Sequence, residues 1–92
     1  MARRPEPVRK SVKDTLDDLL NGHKEAAFSG PESALKYLRR VFEGQVNLPN
    51  AVKAVAYDLM ADAQAQVGAW EDCAASVAMV LKHLTDLEAE FP

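Results

Sequence analysis

Gly68 is the residue that most narrows what this chain can fold into, because it interrupts a helical pattern that runs from Asn50 to Leu84. Before it, Val52, Val55, Ala56, Leu59, Met60 and Ala63 recur every three or four residues, the spacing of one helical stripe. After it, Cys73, Val77, Val80, Leu81, Leu84 and Leu87 repeat the pattern from Trp70 onward, and this stripe is expected to face inward. Glycine inside a helix costs about 1 kcal/mol relative to alanine, whereas between two helices its access to positive φ is useful. The segment therefore reads as two helices joined by a tight turn. No stretch of the chain alternates with the period of a strand.

The first half follows the same logic. Ser11 is placed to cap a helix, with Asp14 three residues later where an acid suits the helix dipole. Val12, Leu16, Leu19, Leu20, His23 and Ala27 follow at helical spacing, and Asp14, Asp17 and Asp18 fall mainly on the outer face. Ser29-Gly30-Pro31 ends that helix and starts the next, since proline suits a first helical turn. Helix two turns Ala34, Leu35, Leu38, Val41 and Phe42 inward and Lys36, Arg39 and Arg40 outward. The main loop lies in 43–49, where Gly44 and Pro49 break the periodicity. Helix three, from about Pro49 to Val67, carries Ala51, Ala54, Ala56, Ala61, Ala63 and Ala65, which let neighbouring backbones approach closely. The fold class expected is all-α, four antiparallel helices in two successive hairpins turning at Gly30 and Gly68.

Length and charge set the domain organisation. A chain of 92 residues with 48% apolar content makes one small globular domain, here 11–92, preceded by a basic arm over 1–10. Pro5 and Pro7 keep the arm extended. Residues 1–13 carry Arg3, Arg4, Arg9, Lys10 and Lys13 against Glu6, a net +4 that leaves −7 for the rest of a chain whose total is −3. An acidic body behind one short arm argues against nucleic acid, which needs several neutralised phosphates. No apolar run reaches the roughly 18 residues that span a bilayer. The basic start leads into no apolar core, unlike a secretory signal, and a single cysteine cannot form an intramolecular disulfide. A cytoplasmic protein is expected.

Catalytic and metal chemistry find little support. Cys73 lies on an apolar stripe and reads as a packed small residue, His23 as core-edge, and His83 as a surface residue. The two histidines and the cysteine lack the spacing of zinc ligands. Asp14, Asp17 and Asp18, or Asp58 and Asp62, could contribute to a divalent site but form acidic helical faces of the kind far more often simply solvated. No phosphate-binding glycine loop, nucleophile elbow or zinc-protease helix is present. No enzyme activity, cofactor or metal is expected.

The second hairpin resembles a tetratricopeptide repeat. Tyr57 stands at an early aromatic position and Met60 at a large aliphatic one. Ala61 occupies the small position where helices cross. Gly68 matches the turn glycine, Trp70 the following aromatic, and Cys73 the usual alanine. Val80 replaces a second small residue, no proline follows Leu84 at the usual repeat end, and the first hairpin departs by one residue and lacks both aromatics. The match covers about a third of the chain, and an unrelated four-helix bundle is the alternative. The resemblance implies that helix three lines a ligand-facing surface through Val55, Asp58, Asp62 and Ala65, whose acids suit a basic or amphipathic segment of a partner. The plain alternative is a solvated i,i+4 face, because like charges there cost only a few tenths of a kcal/mol.

Two hairpins leave apolar surface at an end of the array, which a partner, the arm or a second copy would cover. The function expected is a protein-interaction module, an adaptor or small chaperone. Small acidic tetratricopeptide-like chaperones of bacterial secretion systems are similar in size and charge. The alternative is a self-associating, homodimeric structural or regulatory bundle, and a more distant one is a nucleic-acid accessory acting through Arg3, Arg4, Arg9 and Lys10.

Overall fold

A computed structural model describes residues 11–44 and 47–91. They form four helices, α1 (Val12–Phe28), α2 (Pro31–Gly44), α3 (Asn50–Gln66) and α4 (Trp70–Ala89), with no strand among the described residues. The basic arm, Arg3, Arg4, Arg9 and Lys10, lies outside them.

The helix ends follow from their capping residues. Ser11 is the N-cap of α1, its Oγ accepting the Asp14 N–H at 3.1 Å. Gly30 and Gly68 take φ of +111° and +76°, the left-handed region open to glycine at low cost. At the end of α3, the Ala69 N–H donates to the Gln64 carbonyl at 2.9 Å and the Gly68 N–H to Ala65 at 3.1 Å, the bond pair of a Schellman motif. At the end of α1 the equivalent Gly30 bond to Ala27 forms, but the next residue is Pro31, which has no N–H for the second bond. Gly30 instead accepts the Ala34 N–H at 3.1 Å and so opens α2.

The core lies among α1, α2 and α3. Leu19, Leu35, Leu38, Val52, Ala56, Met60 and Ala63 are buried there, with Leu48 from the loop, and Val41, Phe42, Val55 and Leu59 pack against them. The inward sets expected for helices two and three are therefore found. Helix α1 contributes less than its pattern suggests: only Leu19 is fully buried, and Val12, Leu20 and Ala27 are exposed. It is held in part by Tyr37 of α2, whose hydroxyl donates toward the Leu19 and Asp18 carbonyls at 3.3 and 3.4 Å. A side chain on Gly22 would overlap the Tyr37 ring, so glycine here permits the close approach. Burial, with Asp18 and Glu25 nearby, raises the Tyr37 pKa above 10.0 and keeps the hydroxyl a donor.

Helix α4 packs against α3 and lies close to neither α1 nor α2. Its contacts step in opposite directions along the two helices. Gln64 meets Ser76, a heptad on Tyr57 meets His83, and a further heptad on Asn50 meets Glu90. The two helices thus run antiparallel in a fixed register.

Here the structure overturns two expectations. Val77, Leu81 and Leu84 do not face inward but are exposed, Leu81 to 61%. His83, expected at the surface, is 5% exposed, and Ser76 is 4% exposed. The reason is chemical: α3 presents Gln64, Tyr57 and Asn50 along its line of contact. Ser76, His83 and Glu90 satisfy Gln64 and Asn50, which a leucine would leave unpaired, and the His83 ring stacks on Tyr57.

Candidate partner-binding face

The α3–α4 seam fixes how both helices are rotated. The Ser76 hydroxyl donates to Gln64 Oε1 at 2.6 Å in a buried bond. Asn50 Nδ2 donates to Glu90 Oε1 at 2.7 Å, so its Oδ1 is the acceptor for His83 Nδ1, 3.1 Å away. His83 Nδ1 is therefore the donor of this bond and carries a proton. Its ring stacks on Tyr57 (centroids 5.6 Å apart, planes at 8°), and Tyr57 in turn meets Phe42 of α2 at 4.5 Å. Burial, with Lys82 and Lys53 nearby, lowers the His83 pKa below its ordinary 6.5, against a smaller opposing pull from Asp86.

With Ser76 and His83 turned toward α3, the apolar stripe of α4 is left about a quarter-turn away, since residues advance about 100° each. Trp70 (69% exposed), Val77, Leu81 and Leu84 form an open ridge, with Cys73 and Val80 half-buried at its inner edge. The opposite flank of the hairpin is polar. There Lys82 Nζ donates to Asp86 Oδ2 at 2.9 Å and holds that carboxyl below its usual pKa, with Lys53 of α3 also acting on it.

Because α3 runs the other way, the same rotation brings its open stripe to the ridge side. That stripe contains the four residues expected at a binding surface. Asp58 and Asp62 are exposed, Val55 and Ala65 are half-buried, and Val55 also packs against the core. Asp62 Oδ2 accepts a bond from Gln66 Nε2 at 3.1 Å. The register sets Asp62 and Asp58 at the height of Val77 to Leu84, beside the middle of the ridge.

The acids were readable from the sequence, but the ridge was not. Its signal is the pair Ser76 and His83, polar residues one heptad apart, which mark the true contact line of α4. Helical periodicity located the apolar stripe without saying whether the chain covers it.

Elsewhere, a cleft of roughly 170 Å³ lies between Thr15, Asp18, Leu19, Tyr37, Val41, Leu48 and Val52. That is below the ~300 Å³ at which small-molecule sites begin. Cys73 is a half-buried free thiol and His23 is half-buried. Among the described residues no three His, Cys, Asp or Glu side chains gather to hold a metal ion, and no helix is long and apolar enough to cross a membrane. No protein-family model, curated protein or solved structure matches this chain.

Proposed function

We propose that this chain is a non-enzymatic protein-interaction module, an adaptor or small chaperone-like protein of the cytoplasm. In this reading α1–α2 and α3–α4 are two tetratricopeptide-like hairpins, and the open side of α3–α4 is where a third would stack. The observation that carries it is the ridge of Trp70, Val77, Leu81 and Leu84, an apolar line that the described residues leave exposed. A helix seated there would complete the layer that the two hairpins begin.

One observation favours a second reading, a self-associating bundle. Trp70, Val77, Leu84 and Phe91 stand at seven-residue intervals, with Cys73, Val80 and Leu87 between them. That is the spacing of a coiled-coil seam.

Solution mass by light scattering across a concentration series tests both, on the wild type and on the Leu81→Glu/Leu84→Glu variant. The interaction-module reading expects a wild-type monomer and a variant with unchanged helicity and melting temperature, since those side chains are not needed for packing. A dimer dissolved by the variant would establish self-association. A variant that unfolds would show the ridge to be core and end both readings.

A further inference from the structure

We propose that the occupant of this face is an amphipathic helix of a partner protein, with an apolar stripe bordered by lysine or arginine. The inference rests on the interaction-module reading and names the chemistry of its partner. Three carboxylates border the ridge: Asp58 and Asp62 beside its middle, and Glu88 toward its C-terminal end, all exposed. Helices α3 and α4 contain two cationic residues, Lys53 and Lys82, and both lie on the opposite flank with Asp86. The face is thus an apolar line edged by negative charge with no cation of its own, a pattern complementary to a basic amphipathic helix.

The same charges disfavour the other occupants. A second copy placed ridge to ridge would bring three carboxylates from each chain around one apolar seam, with no cation from either to balance them. Helix α2 of a second copy offers Lys36, Arg39 and Arg40 but no large exposed apolar side chain, so it lacks the apolar half of the match. The chain's own basic arm, 1–10, has only Met1 and Val8 as large apolar residues, so it too lacks the apolar half of the match.

Geometry sets the size of the partner. The exposed line from Trp70 to Leu84 spans about four helical turns, so a partner helix of roughly fifteen residues would cover it. The small residues Ala65 and Cys73 leave room for its backbone near the seam.

Trp70 is the sole tryptophan and sits at the end of the ridge, so its emission reports occupancy directly. Two synthetic helical peptides are titrated into the full chain at low salt. They share one leucine stripe and differ only in carrying Lys or Glu beside it. The Lys-bordered peptide is expected to shift the emission to the blue and to bind at least about tenfold more tightly. Asp58→Lys/Asp62→Lys, at two exposed positions, is expected to reverse that order, and added salt to narrow it.

Equal binding of both peptides, abolished by Leu81→Glu/Leu84→Glu, would overturn the basic-partner inference and leave the interaction module standing. Binding that survives Leu81→Glu/Leu84→Glu would show that the peptides sit elsewhere and overturn the assignment of this face. No binding, with a wild-type dimer that the variant dissolves, would replace both with self-association. No binding by a monomer would overturn the inference and the module reading together.

Discussion

Helix α3 is flanked by two interfaces of opposite design. Toward α1 and α2 it buries Val52, Ala56, Met60 and Ala63 against Leu19, Leu35 and Leu38. Toward α4 it offers Asn50, Tyr57 and Gln64 to Glu90, His83 and Ser76, while the large apolar residues of α4 stay outside. The first interface is the ordinary source of stability, each buried Val, Leu or Met side chain contributing roughly 1.5–3 kcal/mol. The second gains little per bond, because a neutral hydrogen bond nets only about 0.5–1.5 kcal/mol over water. What it supplies is orientation. Few rotations of α4 satisfy all its polar partners, and the one it adopts turns the ridge outward. A purely apolar seam would have drawn Leu81 and Leu84 inward and closed the face.

The comparison breaks most visibly under truncation. Leu38 is fully buried, so Leu38→Ala should cost about 2–5 kcal/mol in urea denaturation, whereas Leu81→Ala on the ridge should stay within about 0.5 kcal/mol. Equal losses would mean that the ridge is packed. The polar seam should respond to chemistry more than to size. Ser76→Ala leaves the buried Gln64 carbonyl oxygen without its partner and should cost about 1–3 kcal/mol. Adding Gln64→Leu removes the orphaned group and should restore most of that loss, a non-additivity that a double-mutant cycle reads directly.

The seam should also carry a pH dependence that the core lacks. The His83 pKa is lower in the folded chain than the ordinary 6.5, so on acidification the unfolded chain takes up its proton first. The stability contributed by neutral His83 is complete above pH 6.5 and is lost as pH falls through the folded value. Urea midpoints measured from pH 7.5 downward should show this decline, and His83→Gln should flatten it. The charged groups acting on the ring are Lys82, Lys53 and Asp86, and the Asp86 carboxyl is itself held below its ordinary pKa, chiefly by its bond from Lys82.

The sequence made all four helices and both turns legible because their signals are local. Ser11 with Asp14, Gly30 with Pro31, and Gly68 each act within a few residues of themselves, and the stripes of α2 and α3 are covered as their periodicity implies. The inward face of α4 was misread because periodicity identifies an apolar face and not its neighbour. Which face of α4 meets α3 depends on Asn50, Tyr57 and Gln64, residues up to some forty positions away along the chain. The acids of the candidate site, Asp58 and Asp62, could be named from the sequence. Their apolar counterpart could not, because it becomes a surface only once the polar seam has set the rotation of α4.

The glycine at position 22 has a consequence of a different kind. Helix α1 buries one leucine completely and carries few apolar contacts that could distinguish one placement along α2 from the next. The missing side chain at Gly22 leaves a notch that the Tyr37 ring fills, so it acts as a positional key for the pairing of α1 with α2. Gly22→Ala should change overall stability little, because the gain of up to about 1 kcal/mol in helix propensity is set against the displaced ring. Its mark should instead be multiplicity: amide resonances of α1 that broaden or double as the helix samples neighbouring placements. With Tyr37→Ala in the background the same substitution should simply stabilise, since nothing is left for the methyl group to displace. A residue that weakens its own helix would then be the one that gives the first hairpin a single structure.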